Sequence, residues 1–469
     1  MSSKQALPAG LLPALRAALH PGAVIEDRDR LLVYEADALT TSSGLPDAVV
    51  FPADRDELTR VIQLLHEARI PFVPRGAGTG LAGGAVADGG VLVCTTRMHR
   101  VLEVDPLGRT ALVEPGALTD EINEAAAPHG LRYLPDPASA AACTIGGNVA
   151  TNSGGPHCLK YGVTTDHVAA LEVILPDGTP LVVSHGEDGG LDLAGVFTGS
   201  EGTLGVISRI RVNLAPAATE VRAFLALFDS VADAGRAVST IFEAGVVPVA
   251  LELVDRETIA VVEASVFAAG LPLDTEAALV VECEGDPEEV EEDLGEAETA
   301  VLACGAREVR RARDEQERLA IWQARKKAYG ALGRLAPDVF VQDAAVPRSA
   351  LPDLLPRFAE IASRHRLRLA NFFHAGDGNV HPNLLFDRRD AEQVDRVQKA
   401  GSEIMALCVE AGGTITGEHG VGIDKVRHME LVFGPEELSV MRDLRESTDR
   451  TGLANPGKLL PDLPAEASA

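Results

Sequence analysis

Basic residues are scarce in this sequence: 42 Lys and Arg stand against 70 Asp and Glu, a formal net charge of −28. A phosphate backbone rewards a basic face, so the balance argues against a nucleic-acid partner and against direct adhesion to anionic lipid. Cysteine is sparse too. The six cysteines (Cys94, Cys143, Cys158, Cys283, Cys304 and Cys408) form no CxxC pair, which leaves no disulfide framework, zinc knuckle or iron–sulfur motif and fits buried thiols in a reducing compartment. No apolar run approaches the length of a membrane span, so no direct membrane insertion is expected. The opening MSSKQALPAGLLPALRAALHPG holds one short amphipathic pattern without a signal-peptide cleavage site, and the expected location is the cytoplasm, with membrane association only through partner subunits.

What is present is 469 residues, 46% of them hydrophobic, enough for two or three packed domains. Residues 1–42 read as an N-terminal helical segment. Over 43–218 the runs AVVFP, ELTRVIQLLHEARI and PFVPRG give a β-α-β rhythm, followed by brief strands at VLVCTT, VLEVDP and ALVEPG. LTDEINEAAAPHG reads as a helix with Thr119 as N-cap and Gly130 as its stop. From 219 to 430 longer elements take over, with strands at FLALF, ALVVEC, RLANFFH and NVHPNLLF and helices such as EQERLAIWQARKKAYGAL. The acidic GDPEEVEEDLGEAETAVLACGA reads as a solvated helix. Residues 431–469, with PEELSVMRDLREST and GLANPGKLLP, form a C-terminal segment expected to return to the first domain.

Residues 74–86, PRGAGTGLAGGAV, contain the spacing G-x-G-x-x-G at Gly78, Gly80 and Gly83. A nicotinamide fingerprint needs a helix opening at the third glycine, and the following GAVADGGVLV is too rich in glycine to hold one. A Walker loop fails as well, because no GK[ST] follows. What survives is a loop whose main-chain N–H groups wrap an anion without a helix dipole. A flexible surface loop explains this segment equally well on its own. Two companions, PDPASAAACTIGGNVATNSGGPHCLKYG and FTGSEGTLGVIS, favour one large polar ligand held largely by main chain.

A second constellation is HAGDGNVH, His374 to His381. If Asp377 and Gly378 form a two-residue turn, His374 and His381 face each other with Cβ atoms roughly 5 Å apart. Glu418 and His419 stand between glycines in GGTITGEHGVG. A site of His374, His381 and Glu418 with open positions suits zinc or another Lewis-acid divalent metal. Two satisfied hairpin histidines are the competing explanation.

The three glycine loops, in this order, resemble the FAD-binding domain of the vanillyl-alcohol oxidase and p-cresol methylhydroxylase flavoprotein superfamily. HAGDGNVHP and TGEHGVG resemble its metal-containing 2-hydroxy-acid dehydrogenase branch, which includes D-lactate dehydrogenases, D-2-hydroxyglutarate dehydrogenases and the D subunit of bacterial glycolate oxidase. For the last group the resemblance extends over nearly the whole chain. It implies an α+β protein: a two-subdomain FAD-binding domain plus an α+β substrate (cap) domain with an antiparallel sheet. It implies FAD contacts at Arg75, Gly76, Ala77, Gly78, Thr79, Gly80 and Leu81. Further contacts are implied at Pro137, Gly146, Gly147, Thr151 and Ser153, and at Gly199, Glu201, Gly202, Gly205, Ile207 and Asn455. The first loop has no histidine, so the FAD is expected to be noncovalent. The metal ligands implied are His374, His381 and Glu418, and the general base is His419.

The chemistry implied is loss of the hydroxyl proton to His419 and of the Cα hydride to flavin N5, with a metal on the hydroxyl. Arg325, in WQARKKAYG, is expected to pair with the substrate carboxylate, while Lys326 and Lys327 read as a solvated helix face. The branch's long-diacid enzymes carry a lysine just before the aspartate corresponding to Asp343; here Val341 and Gln342 stand there. That favours a small 2-hydroxy acid, glycolate or D-lactate, over 2-hydroxyglutarate. Arg348 reads as a surface residue. With no iron–sulfur cysteines, the chain is expected to pass electrons to a non-NAD acceptor through a second FAD-domain subunit and an iron–sulfur subunit. The alternatives are a D-2-hydroxyglutarate dehydrogenase-like enzyme and a metal-dependent hydrolase using the same histidines.

Overall fold

The computed structural model describes residues 6–186, 190–266 and 268–462. The chain divides into two compact units. The first comprises residues up to Gly154, Val163–Ala217 and the chain from Glu418 onward; the second comprises Gly155–Gly162 and Ala218–Gly417.

The first unit contains two sheets. In one, Ala48–Val50 and Phe72–Arg75 both run parallel to Val91–Cys94, and Val24–Ile25 adds an antiparallel edge. The crossover between the first two is the helix Arg55–Glu67, capped by Asp54, whose side chain accepts from the Asp56 and Glu57 amides. Its buried face, Leu58, Val61, Ile62 and Leu65, packs with Val50, Phe72 and Val93 in one core. The other sheet is antiparallel, in the order Val101–Asp105, Thr110–Val113, Val206–Asn213, Val168–Ile174 and Pro180–Ser184. Its core includes Val113, Ile145, Val149, Leu171 and Ile210. These are the two subdomains expected of this α+β fold.

The second unit is built on a nine-stranded sheet. Glu220–Phe228 and Ala250–Asp255 flank Ala277–Gly285 antiparallel, and Ala250–Asp255 pairs in turn with Arg368–His374. One face carries Leu225, Val254 and Val280, which pack with Ile259, Trp322 and Leu332. The alternate residues Phe224, Ala226 and Phe228 are buried as well, so both faces are covered. The acidic helix, Pro287–Ala303, is amphipathic: Val290, Leu294, Ala297 and Val301 are buried.

Three expectations need correction. Residues 155–162 belong to the second unit, because His157 bonds Glu282 at 3.3 Å and Lys160 donates to the Glu284 carbonyl at 2.7 Å. The return to the first unit comes at Glu418, not at residue 431. The helix Thr119–Ala126 is capped at Leu118, whose N–H donates to Glu121, while the Thr119 hydroxyl accepts from Asn148 at 2.9 Å. Gly130 ends that run at φ 68°, as expected of a left-handed stop.

Candidate functional site

Residues 76–90 hold no helix. Gly78 and Gly83 take φ values of 74° and 78°. Among the described residues, the main-chain N–H groups of Gly76 to Leu81 donate to no group of the protein. Such a row of free donors, in a domain otherwise well bonded, is an anion nest.

The other loops converge on this one. A Cβ on Gly76 would stand 2.1 Å from the Thr144 hydroxyl, and one on Gly202 would stand 2.8 Å from the Pro74 ring. Asn455, 1% exposed, donates from Nδ2 to the carbonyls of Gly84 and Glu201 at 2.9 and 2.7 Å, and its Oδ1 has no hydrogen-bond partner. Free amides and an orphaned buried oxygen on facing loops suit a ligand carrying both pyrophosphate and hydroxyl groups, as FAD does.

The expected FAD contacts divide by what their atoms are doing. Gly146 already donates to Pro115 at 2.8 Å, and Thr144 caps the helix Ile145–Thr151 by accepting from Gly147. The Thr151 and Ser153 hydroxyls bond each other at 2.9 Å. Gly199 donates to Val149, and Gly205 sits at φ 150° against the Ile174 carbonyl. Ile207 lies on the strand Val206–Asn213, and Pro137 accepts from Ala140. Arg75 is buried and bends back to the Ala85 carbonyl at 3.3 Å. Glu201 has its carboxylate bound by the amides of Val421 and Gly422 at 2.6 and 2.8 Å. Burial pushes its pKa up to about 7 against the pull of those amides and of Lys425 and Lys458.

The second unit carries the histidine pair. His374 pairs with Asn379, so the turn is the four residues 375–378, not Asp377-Gly378 alone. The neighbouring strands cause this. Gly376 donates to Leu251 at 3.0 Å, Val346 donates to Gly378 at 2.9 Å, and the Asp377 side chain accepts from Asn379. The pairing therefore slips by two residues, and a slip of two keeps every side chain on its face. His374 and His381 remain neighbours, with ring centroids 5.3 Å apart and planes at 87°.

Each imidazole is oriented from behind. His374 Nδ1 meets Glu252 Oε1 at 2.7 Å, while His381 Nδ1 lies 3.3 Å from the Gln342 carbonyl and 3.9 Å from Asp343. Each ring thus has its Nδ1 turned to the chain, an arrangement common among metal-binding histidines. Glu252 is fully buried and its other oxygen stands 2.6 Å from Arg325 Nε, an ion pair whose angle is too poor for a hydrogen bond. Burial opposes its charge, yet Arg325 and His374 together hold its carboxyl below the usual range. Arg325 also stacks 5.1 Å from the Phe372 ring centroid. Lys326 and Lys327 are exposed.

Glu252 and Asp343 were not singled out from the sequence as site residues. Asp343 accepts from Thr416 at 2.7 Å and from the Gly417 amide at 3.1 Å, and a Cβ on Gly417 would overlap Asn379. The chain thus leaves the second unit at Gly417, held against Asp343, and Glu418 and His419 are its next residues, in the first unit. His419 Nε2 lies 3.8 Å from Glu418 Oε1. Arg348 is exposed, as expected, yet its Nη1 donates to Gly376 at 3.0 Å and fastens the turn.

Two family models match this chain: an FAD binding domain over residues 46–184 and the C-terminal domain of FAD linked oxidases over residues 217–459. Glycolate oxidase subunit GlcD of Escherichia coli (strain K12) is 42% identical, across 97% of this chain and 91% of that protein. GlcD of Bacillus subtilis (strain 168) is 39% identical, across 91% and 92%. A D-lactate dehydrogenase of Anaerostipes hadrus is 32% identical, across 88% and 89%. Among solved structures, p-cresol methylhydroxylase superposes with a TM-score of 0.81 at 16% identity, covering 96% of this chain and 97% of that one. Alkyldihydroxyacetonephosphate synthase gives 0.79 at 19%, covering 98% and 87%. At these identities the structural likeness is one of fold.

Proposed function

We infer the reaction from the premise that this chain belongs to the FAD-linked oxidase family and is an FAD-linked oxidoreductase: it oxidises a small 2-hydroxy acid, glycolate or D-lactate, to the 2-oxo acid. The observation that carries this reading is Glu252, a single buried carboxylate that holds the Arg325 guanidinium with one oxygen and the His374 imidazole with the other. A 2-hydroxy acid carries its carboxylate and hydroxyl on adjacent carbons. A protein that oxidises it needs a carboxylate-binding cation and a hydroxyl-activating group held in one rigid frame, and Glu252 ties such a pair together.

Arg325 binds the substrate carboxylate through its planar fork, a local cation in an otherwise acidic protein. His374 and His381, with Glu418, would hold a divalent metal, for which zinc suits the donor set. Glu252 fixes the His374 ring so that Nε2 is the ligand atom. His419 takes the hydroxyl proton as the O–H and Cα–H bonds break and the C=O bond forms. A metal held there would supply Lewis-acid activation of the hydroxyl, and noncovalent FAD would supply the hydride acceptor.

The electrons then pass to a non-NAD acceptor through a second FAD-domain subunit and an iron–sulfur subunit. The relatives named as glycolate oxidase subunits support this reading. No helix among the described residues is long and apolar enough to cross a membrane; the reading places the chain in the cytoplasm, reaching a membrane only through its partners.

The test is anaerobic bleaching of the flavin band with glycolate, D-lactate, L-lactate and D-2-hydroxyglutarate. Bleaching by glycolate or D-lactate is expected. A flavin that stays oxidised with every 2-hydroxy acid refutes the reading.

A further inference from the structure

A cavity of about 360 Å³ opens in the second unit on the sheet face that carries Glu252. Leu225, Val254 and Val280 form its floor, Ile259 and Ile321 form walls from two helices, and Arg325 lines it as well. An apolar cavity of roughly 150 Å³ already holds benzene. Glycolate has no side chain to fill such a space, and D-lactate has one methyl group.

The charges around the cavity limit what enters it. Arg310, Arg311 and Arg313 also line it, but each is matched to an acid: Arg310 to Glu308 at 2.6 Å, Arg311 to Glu291 and Glu298 at 2.6 and 2.7 Å, and Arg313 to Glu317 at 2.8 Å. They offer no spare cation to a second carboxylate. Arg325 differs: it contacts Glu252 only through Nε, and among the described residues its Nη groups make no hydrogen bond to the chain.

We propose that this cavity receives the hydrocarbon side chain of the substrate, so that the site takes 2-hydroxy acids bearing an apolar chain or branch of several carbons. This rests on the reading of Arg325 as the carboxylate-binding group. Glycolate and D-lactate are then the short end of the range, and a diacid is a poor fit because its distal carboxylate meets an apolar floor and guanidinium groups already paired.

The test is dye reduction by the flavin-loaded full chain with glycolate, D-lactate, D-2-hydroxybutyrate, D-2-hydroxyisocaproate, D-2-hydroxyoctanoate and D-2-hydroxyglutarate. Burying a methylene is worth about fourfold, so kcat/KM is expected to rise about 30- to 60-fold from D-lactate to D-2-hydroxyisocaproate. Val280→Phe fills the floor, and Ala320→Trp narrows the mouth from an exposed helix position, where the fold tolerates bulk. Each is expected to lower the isocaproate-to-lactate ratio of kcat/KM by tenfold or more. A kcat/KM that falls steadily with chain length, or a ratio unmoved by Ala320→Trp, overturns the proposal. Dye reduction with none of the acids instead sinks the parent reading and the proposal with it; dye reduction with the short acids alone sinks only the proposal.

Discussion

Glu252→Gln keeps the shape of the side chain and removes its charge, which makes it a direct probe of the frame that joins Arg325 to His374. The carboxylate is fully buried and the Arg325 side chain is 6% exposed, so the substitution strands a cation in a low-dielectric interior. Removing one partner of a buried ion pair costs about 3–5 kcal/mol. For a unit of about 200 residues each kcal/mol lowers Tm by about 2–4 °C, so the transition of the second unit should fall by about 6–20 °C. Differential scanning calorimetry reads that shift. In the Glu252→Gln background, Arg325→Met removes the stranded charge at similar volume, and most of the lost stability should return while turnover stays abolished. A Tm within about 1 °C of the parent for Glu252→Gln, or no recovery in the double variant, refutes the electrostatic account.

Gly76→Ala places a Cβ 2.1 Å from the buried Thr144 hydroxyl, and its flavin affinity should drop by about tenfold or more, or about 1.4 kcal/mol; an unchanged flavin-to-protein absorbance ratio on dilution counts against the cradle. Chelation should abolish turnover, and a divalent metal should restore it in the parent protein but not in His381→Ala; full activity in a rigorously metal-free preparation removes the metal from the mechanism. His428 is held at a pKa of about 4, below its ordinary 6.5, by burial first and then by Arg427 and Lys425. A histidine kept neutral in the native state contributes fully above pH 6.5 and loses that contribution as pH falls toward 4, so stability at pH 5 should be about 2 kcal/mol lower than at pH 8. Urea melts of His428→Gln at the two pH values should show most of that difference gone; an identical loss in the variant assigns the acid lability elsewhere.

The parts legible in the sequence were those carried by local rules. RLANFFH spans the strand Arg368–His374, PEELSVMRDLREST spans the helix Pro435–Thr448, and the glycines of the first loop declared a backbone that no helix follows. The hairpin register was not legible, because the Asp-Gly signal describes an isolated turn whereas here Leu251 and Val346 bind the turn's backbone from outside. His374 and His381 still share a face only because the slip was even. Glu252 was invisible for a related reason: it sits in an apolar strand, Ala250–Asp255, and its role arises from distant partners, Arg325 and, 122 residues away, His374. The assignment of residues 155–162 to the second unit likewise depends on side chains reaching Glu282 and Glu284, which no local pattern announces.

The flavin-binding unit is closed by its most distant segment. Phe72 donates to the Leu453 carbonyl, Asn455 donates back to Phe72, and the Asn455 side chain bridges Gly84 and Glu201. Everything in sequence between Ala218 and Gly417 is spent on the other unit before this closure is made. A nascent chain therefore emerges with its glycine loops complete but without the wall that Leu453 and Asn455 supply. The contacts that tie Phe72, Gly84 and Glu201 together through Leu453 and Asn455 thus become available only when the late part of the chain has been made.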